Sequence, residues 1–96
     1  MFDFRVEAEY NIHGLTIIEA LLFVERQLIG TTDLKCIRII HGYINGSALK
    51  SFFTNYRSNG IFWINSIEHA NNPGETIIFL KPSYRDIILK KPIKTK

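Results

Sequence analysis

The sequence has a single cysteine and no run of uncharged residues long enough to cross a membrane. Without a second cysteine an internal disulfide is excluded, and Cys36 lies in an apolar run where a small buried side chain is expected. A membrane span needs roughly 20 apolar residues, and the start of the chain, Met1 to Arg5, lacks the basic-then-apolar order of a secretion signal. These absences predict a cytoplasmic protein.

The motifs that identify several common enzyme classes are absent as well. The sequence contains no Gly-Lys-Ser/Thr phosphate loop, no Gly-x-Ser-x-Gly nucleophile turn and no Cys-x-x-Cys pair. A zinc site built from Cys36 and the histidines His13, His41 and His69 would lack the usual ligand spacing. No sequence motif therefore predicts a cofactor, and a divalent metal stays an open alternative.

The net charge of +3 is distributed unevenly along the chain. Residues 81–96 carry six basic side chains against one acidic side chain, a charge of +5 that leaves −2 for residues 1–80. A basic C-terminal tail on a nearly neutral body suits a phosphate-bearing partner, because bound phosphates release their counterions. The alternative is a solvated tail that only keeps the protein in solution.

The hydrophobic pattern predicts one globular domain, since 46% of the 96 residues are hydrophobic and 12% are aromatic. Side chains of residues 2–12 alternate between apolar and polar, which indicates a strand with one buried face. Thr16-Ile17-Ile18-Glu19 has the form of a capping box, and Gly30 is suited to end the helix that follows. The predicted elements are strands at 2–12, 36–40, 61–67 and 76–80 and helices at 17–29 and 48–57.

This order predicts an α/β two-layer sandwich, β-α-β-α-β-β, with a mixed four-stranded sheet and two helices on one face. The first two strands run parallel through a helical crossover, and the turn Asn71-Asn72-Pro73-Gly74 joins the last two strands as an antiparallel pair. Ser47 is expected to cap the second helix. We assign residues 1–81 to the domain and residues 82–96 to the basic tail, in which Tyr84 to Leu89 forms one helical turn.

Two His-Gly pairs, His13-Gly14 and His41-Gly42, follow the two parallel strands. The carboxyl ends of parallel strands meet at one edge of a sheet, where ligands of such sheets bind. Each pair precedes a helix N-terminus, whose amides favour phosphate, and two histidines supply an acid and a base for phosphodiester cleavage. Such a pair without a carboxylate cluster suits RNA, whose 2′-hydroxyl is a built-in nucleophile, better than metal-dependent DNA hydrolysis. The alternative is that both histidines are hydrogen-bonded turn residues, and His69 is expected to be merely exposed.

Four stretches of the chain carry a resemblance to a known family. They are Tyr10-Asn11-Ile12-His13-Gly14-Leu15-Thr16, Ile37-Arg38-Ile39-Ile40-His41-Gly42, Ser47-Ala48-Leu49-Lys50 and Gly74-Glu75-Thr76-Ile77-Ile78-Phe79-Leu80. In order and spacing they resemble the Smr (small MutS-related) domain, with its Leu-Asp-x-His-Gly, its Ile-x-Ile-x-His-Gly-x-Gly-x-Gly and its late Gly-x-Thr-Val-Val-x-Leu strand. The resemblance covers about residues 8–81.

The resemblance implies a two-layer α/β sandwich that binds nucleic acid and, in several family members, nicks DNA or cleaves RNA. It implies catalytic roles for His13, His41 and Asn11, although Asn11 stands where the family has aspartate. The second loop, residues 42–47, also departs from the family because it lacks the alternating glycines and the basic residue. Together with the basic tail, the residues expected to bind nucleic acid are Gly14, Gly42, Tyr43, Asn45, Gly46, Ser47, Lys50, Lys81, Arg85, Lys90 and Lys91.

Three functions stay open from the sequence. The first is a nucleic-acid-binding Smr-like domain with endonuclease activity through the histidine pair. The second is a catalytically inactive module that binds nucleic acid or a ribonucleoprotein surface, and the third is a protein-interaction domain with a solubilising tail. The expected partner is RNA or DNA, alone or in a larger nucleoprotein assembly, and the oligomeric state is open.

Overall fold

The computed structural model describes residues 5–42 and 46–90. The elements are β1 (Ala8–Asn11), α1 (Ile17–Ile29), β2 (Cys36–Ile40), α2 (Ser47–Thr54), β3 (Ile64–His69), β4 (Glu75–Leu80) and α3 (Tyr84–Leu89). The strands form a mixed four-stranded sheet in the order β1-β2-β4-β3. Strands β1 and β2 run parallel, and β4 runs antiparallel to both of its neighbours. The predicted α/β sandwich and its element order are confirmed.

The alternating pattern of β1 fixes which of its faces is buried. Ala8 and Tyr10 lie opposite Ile37 and Ile39 of β2, and all four side chains pack in the core beneath the helices. Glu9 and its partner Arg38 therefore lie on the other face of the sheet. Strand β2 lies between β1 and β4, as its nearly continuous apolar composition predicts.

Helix α1 begins at the predicted capping box. The Thr16 hydroxyl oxygen accepts the amide of Glu19 at 3.2 Å, and a Glu19 carboxylate oxygen accepts the amide of Thr16 at 3.0 Å. The helix buries Ala20, Val24 and Leu28, which recur at intervals of about one turn, against the sheet. Its N-terminus lies just after β1, so α1 starts at the edge of the sheet where β1 ends.

Helix α2 is shorter than predicted and begins differently. Its N-cap is Gly46 rather than Ser47, and no side chain caps it. Gly46 lies so close to the carbonyl oxygens of His41 and Gly42 that a Cβ atom there would overlap them, which explains glycine at this position. The helix ends at Thr54 instead of about Arg57, and the Asn59 side-chain amide donates to the carbonyl of Phe52 in its last turn at 2.9 Å.

Strand β3 begins three residues later than predicted, at Ile64 instead of Ile61. The amide of Ile61 donates to Tyr56 at 2.9 Å and the amide of Ile64 donates to Ile61 at 3.3 Å, so residues 61–63 form a turn. Ile61 and Trp63 are nevertheless buried, which gave this turn the apolar composition of a strand. The predicted start at Ile61 was wrong because burial alone does not distinguish a packed turn from a strand.

The helical turn predicted at Tyr84 to Leu89 is confirmed as α3, and it packs against α1. Tyr84 is buried, and its hydroxyl lies 2.7 Å from the Thr31 hydroxyl and accepts the amide of Leu34 at 3.3 Å. The first part of the basic segment thus contributes to the core, while the division of the chain at residue 82 stays a prediction. Within residues 5–42 and 46–90, no helix combines the length and apolar character that crossing a bilayer demands.

Candidate functional site

The two His-Gly pairs lie at the same edge of the sheet. Asn11, the last residue of β1, pairs with Ile40, the last residue of β2, so both chains leave the sheet side by side. Glu75, the first residue of β4, pairs with Ile40 from the other side. The amides of His41 and Gly42 both donate to the carbonyl of Gly74, at 2.9 and 3.0 Å, which ties the turn before β4 to the second pair. We call this region the His edge.

His13 is exposed at the His edge, and its backbone is held by Asn11. The Asn11 side-chain oxygen accepts the amide of His13 at 3.0 Å. This bond stabilises the turn, so Asn11 orients the backbone of His13 rather than its imidazole ring. A Cβ atom on Gly42 would lie 2.8 Å from Cδ2 of His13, which means that the imidazole lies directly against Gly42.

Both corner glycines adopt a backbone conformation that other residues avoid. Gly14 has φ +85° and Gly42 has φ +81°. At Gly42 the conformation and the neighbouring imidazole act together, because a side chain would be strained and would also displace His13. At Gly14 nothing lies within 4 Å of a hypothetical Cβ, so only the conformation requires glycine.

His41, in contrast with His13, is buried, with 1% of its surface exposed. Its Nδ1 lies 2.9 Å from the Gly42 carbonyl oxygen and its Nε2 lies 2.9 Å from the Thr76 hydroxyl. A carbonyl only accepts, so Nδ1 is assigned the proton and Nε2 accepts from the Thr76 hydroxyl. Neither ring nitrogen is directed to solvent, and His41 joins the end of β2 to β4.

The two helix N-termini at the His edge differ in how they are capped. The capping box of α1 places a carboxylate, Glu19, over its first amides. Helix α2 has no side-chain cap and no acidic residue in its first turn, and Lys50 follows in that turn. Because a helix N-terminus carries partial positive charge, α2 offers an anion a more favourable position than α1.

The charged side chains beside the His edge are of both signs. On the open face of the sheet, Arg38 forms an ion pair with Glu9, and its Nε lies 3.3 Å from a carboxylate oxygen of Glu75. Arg38 is therefore engaged by two carboxylates of the protein. In the described part of the chain no three histidine, cysteine, aspartate or glutamate side chains come together as metal ligands would.

The residues predicted to bind nucleic acid fall into separate regions. Gly14, Gly42, Gly46, Ser47 and Lys50 lie at the His edge or in the first turn of α2. Lys81 follows the far end of β4, and the Arg85 side chain donates to the carbonyl of Ile29 in the last turn of α1 at 3.0 Å, so both lie at the opposite end of the sheet. Lys90 ends α3, whereas Tyr43, Asn45 and Lys91 lie outside the described residues. The binding roles of all these residues stay predictions.

Comparisons with known proteins connect this arrangement to one family. No protein-family model matches the chain, and no curated protein matches it. Among solved structures, the crystal structure of the Smr domain of Thermus thermophilus MutS2 matches with a TM-score of 0.58 and 26% sequence identity. The match covers 79% of this chain and all of that chain.

The chain has the fold of an Smr domain. Because the match spans the whole of the MutS2 domain, the Smr fold is complete within this chain. The resemblance inferred from the sequence motifs is therefore supported by the three-dimensional structure.

Two important residues of the His edge, Gly74 and Thr76, belong to the late strand motif of the sequence analysis, which assigned them no role at the histidines. Thr76 holds the ring of His41, and Gly74 accepts the amides of His41 and Gly42, yet both are more than thirty positions away in sequence. No local pattern links them to the histidine. The turn residues before β4 were the available signal, because an antiparallel neighbour of β2 must begin where β2 ends.

Proposed function

We propose that this Smr-like domain binds nucleic acid, with the His edge contacting the phosphate backbone. The observation that carries the proposal is the contact between the exposed imidazole of His13 and Gly42 at the edge where α2 begins without a side-chain cap. An imidazole, first-turn amides and the Lys50 ammonium are all hydrogen-bond donors suited to phosphate oxygens. The match to the Smr domain of a MutS2 protein supports the same proposal.

In this proposal the two histidines have different tasks. His13 contacts the phosphate, because its ring is the exposed one. His41 is a positioning residue that holds the Gly42 carbonyl through Nδ1 and is itself held by Thr76. Asn11 is also a positioning residue, since it fixes the backbone of His13.

A second candidate function is phosphodiester cleavage, and the exposure of His13 favours it. An imidazole can both accept and donate a proton in general acid–base catalysis. In RNA, His13 would take the proton of a 2′-hydroxyl as that oxygen attacks phosphorus, and the departing 5′-oxygen would take a proton from water. Cleavage thus needs one accessible histidine rather than the pair inferred from sequence.

Binding is tested by fluorescence anisotropy with labelled single-stranded RNA, single-stranded DNA and duplex DNA at several salt concentrations. His13→Ala and Lys50→Gln are expected to weaken binding, and losing the Lys50 charge should flatten the plot of log affinity against log salt by about 0.7 to 0.9. His69→Ala is the matched control for losing an exposed histidine: His69 ends β3 opposite Thr76, at the same end of the sheet, but lies three strand spacings, about 14 Å, from β1. Equal affinities for wild type, His13→Ala and Lys50→Gln would refute the proposed interface.

Cleavage is tested separately by incubating the purified protein with single-stranded RNA and supercoiled DNA, with and without EDTA. If His13 is the catalytic group, His13→Ala should remove cutting while His69→Ala retains it. Cutting that survives EDTA would indicate that the reaction needs no divalent metal. Background cutting by wild type and His13→Ala alike would eliminate the endonuclease function and leave the binding proposal to its own test.

A further inference from the structure

A second surface with features of a binding site lies at the end of the domain opposite the His edge. It is a cavity of about 220 Å³ formed by the turns between α2 and β3 together with the start of the segment after β4. Its walls include Tyr56, Arg57, Phe62, Asn65 and Lys81. We call it the Phe62 site. Its volume is below the roughly 300 Å³ and more that drug-sized ligands occupy, so it suits one small planar group.

The exposure of Phe62 is imposed by its neighbours. Phe62 is 61% exposed, whereas Ile61 and Trp63 on either side are 2% and 0% exposed. The indole Nε1 of Trp63 also donates to a carboxylate oxygen of Glu25 in α1 at 2.8 Å. Turning Phe62 inward would pull Ile61 and Trp63 out of the core, so the aromatic ring of Phe62 stays exposed to solvent.

The turn that presents Phe62 is also fixed by backbone bonds. The amide of Ile61 donates to the carbonyl of Tyr56 at 2.9 Å, and the Tyr56 hydroxyl donates to the carbonyl of Asn65 at 3.2 Å. Gly60, with φ +72°, lies against the tip of the Phe62 ring. A preorganised aromatic surface loses little conformational freedom when a ligand binds to it.

The charged side chains that line the site are positive. Arg57 and Lys81 line the Phe62 site, and none of the acidic residues in the described part of the chain does. The Arg57 guanidinium lies 5.6 Å from the centre of the Tyr56 ring, which holds it beside the cavity through a cation–π contact. Anionic groups are therefore favoured beside an exposed aromatic ring.

We infer that the Phe62 site binds an unpaired nucleotide of a single-stranded nucleic acid. The base stacks on Phe62, and Arg57 and Lys81 contact the flanking phosphates. Stacking on an aromatic ring combined with positive charge along the backbone is how proteins hold single strands without reading their sequence. The inference rests on the proposed function, because it adds a second contact region to a nucleic-acid-binding domain.

The Phe62 site is distinct from the His edge. Strand β4 begins at the His edge and ends before Lys81, and its six residues span roughly 17 Å. An oligonucleotide of a few nucleotides therefore occupies one region, and a longer strand contacts both. Affinity should accordingly rise with length once an oligonucleotide bridges the two regions.

The test measures anisotropy of labelled single-stranded and duplex oligonucleotides with Phe62→Ala, Phe62→Leu and Phe62→Tyr. Losing one stacked base should weaken single-strand binding about 5- to 150-fold in Phe62→Ala. Phe62→Leu keeps an exposed apolar side chain without a π face and should be weakened similarly, whereas Phe62→Tyr should bind as wild type does. Leu89→Ala, at another exposed apolar residue, is the matched control. Fluorescence of the single, buried Trp63 reports whether each variant is folded.

The outcomes separate this inference from the proposed function. Wild-type affinity in Phe62→Ala, with weakened binding in His13→Ala, would overturn the Phe62 site and leave the His edge intact. Equal weakening of single-strand and duplex binding in Phe62→Ala would overturn the role in holding an unpaired base. The reverse pattern, with Phe62→Ala weakened and His13→Ala unchanged, would support the Phe62 site and refute the His edge. A wild-type protein that binds no oligonucleotide at low salt would refute both.

Discussion

The substitution His41→Ala is expected to destabilise the whole domain, because His41 is a buried link between β2 and β4. The residue is only 1% exposed, and its ring is hydrogen-bonded to the Thr76 hydroxyl and the Gly42 carbonyl. Alanine would leave a cavity and would remove the hydrogen-bond partner of Thr76, itself 2% exposed. Both effects act on the folded state.

The size of the effect can be estimated from these two losses. A buried polar group left without a partner costs about 1–3 kcal/mol, and large-to-small substitutions in a core typically cost about 2–5 kcal/mol. Since the imidazole is smaller and more polar than leucine, we expect a combined loss of about 3 kcal/mol of unfolding free energy. In a domain of this size that corresponds to a fall in melting temperature of about 12–24 °C.

Urea denaturation followed by the fluorescence of Trp63 measures the loss. Thr76→Val removes the same hydrogen bond from the other side and should cost about 1–3 kcal/mol, because it leaves Nε2 of His41 unsatisfied. The double variant His41→Ala/Thr76→Val should cost less than the sum of the single variants, since neither partner is then left alone. His69→Ala, at an exposed histidine, should change stability by less than about 0.5 kcal/mol.

One result would refute this reasoning about His41. If His41→Ala kept wild-type stability and lost binding or cleavage completely, His41 would be a group that contacts the nucleic acid, and its buried position would be one of several conformations. If stability and function fell together while Thr76→Val reproduced part of both losses, the positioning role would stand.

Three further predictions concern other parts of the domain. The amides of Lys35 and Cys36 donate to Glu7 and lower its pKa from the ordinary 4.5. The stability that the Glu7 carboxylate contributes is therefore complete above pH 4.5 and is lost as the pH falls through the folded-state pKa. In urea denaturation the stability difference between wild type and Glu7→Gln should shrink from pH 7 to pH 3, and a constant difference would contradict this. Burial raises the pKa of the Cys36 thiol above its ordinary 9.0, so at pH 8 a thiol reagent should label Cys36 only as the domain opens, and labelling at the rate of a free thiol would disprove the buried assignment. Gly42→Ala should cost more stability in thermal melts than Gly14→Ala, which costs about 1–2 kcal/mol for its positive φ alone, because only the former also displaces His13; equal costs would argue against that contact.

The parts of the fold that sequence could predict are those encoded by neighbouring residues. Thr16 and Glu19 stand three positions apart, so their capping box is visible as a short motif, and α1 was found with its observed bounds. The alternation in β1 and the apolar run in β2 likewise indicate strands from neighbouring residues alone. Because a helix joins two such strands, the meeting of His13 and His41 at one edge followed from topology.

The parts that sequence could not predict depend on distant partners. The burial of His41 is decided by Thr76, and the alternation rule carries no information about a partner 35 positions away. Phe62 was misread as part of a strand because its neighbours are apolar, although Ile61 and Trp63 are buried from a turn. A periodic pattern indicates which residues are buried, but whether the backbone there forms a strand or a turn depends on the residues that pack against them.

The distribution of charge separates the tasks of the two proposed contact regions. At the His edge, the first turn of α2 supplies one cation, Lys50, and Arg38 on the open face is already engaged by Glu9 and Glu75. At the Phe62 site, Arg57 and Lys81 have no acidic neighbour in the cavity wall. Since the salt dependence of binding reports phosphates neutralised by cations, Arg57→Gln with Lys81→Gln should flatten the salt plot by about 1.4 for a single strand, and Lys50→Gln by about half as much. The Phe62 site would then supply most of the electrostatic affinity, and the His edge would place His13 against a phosphate that is already held.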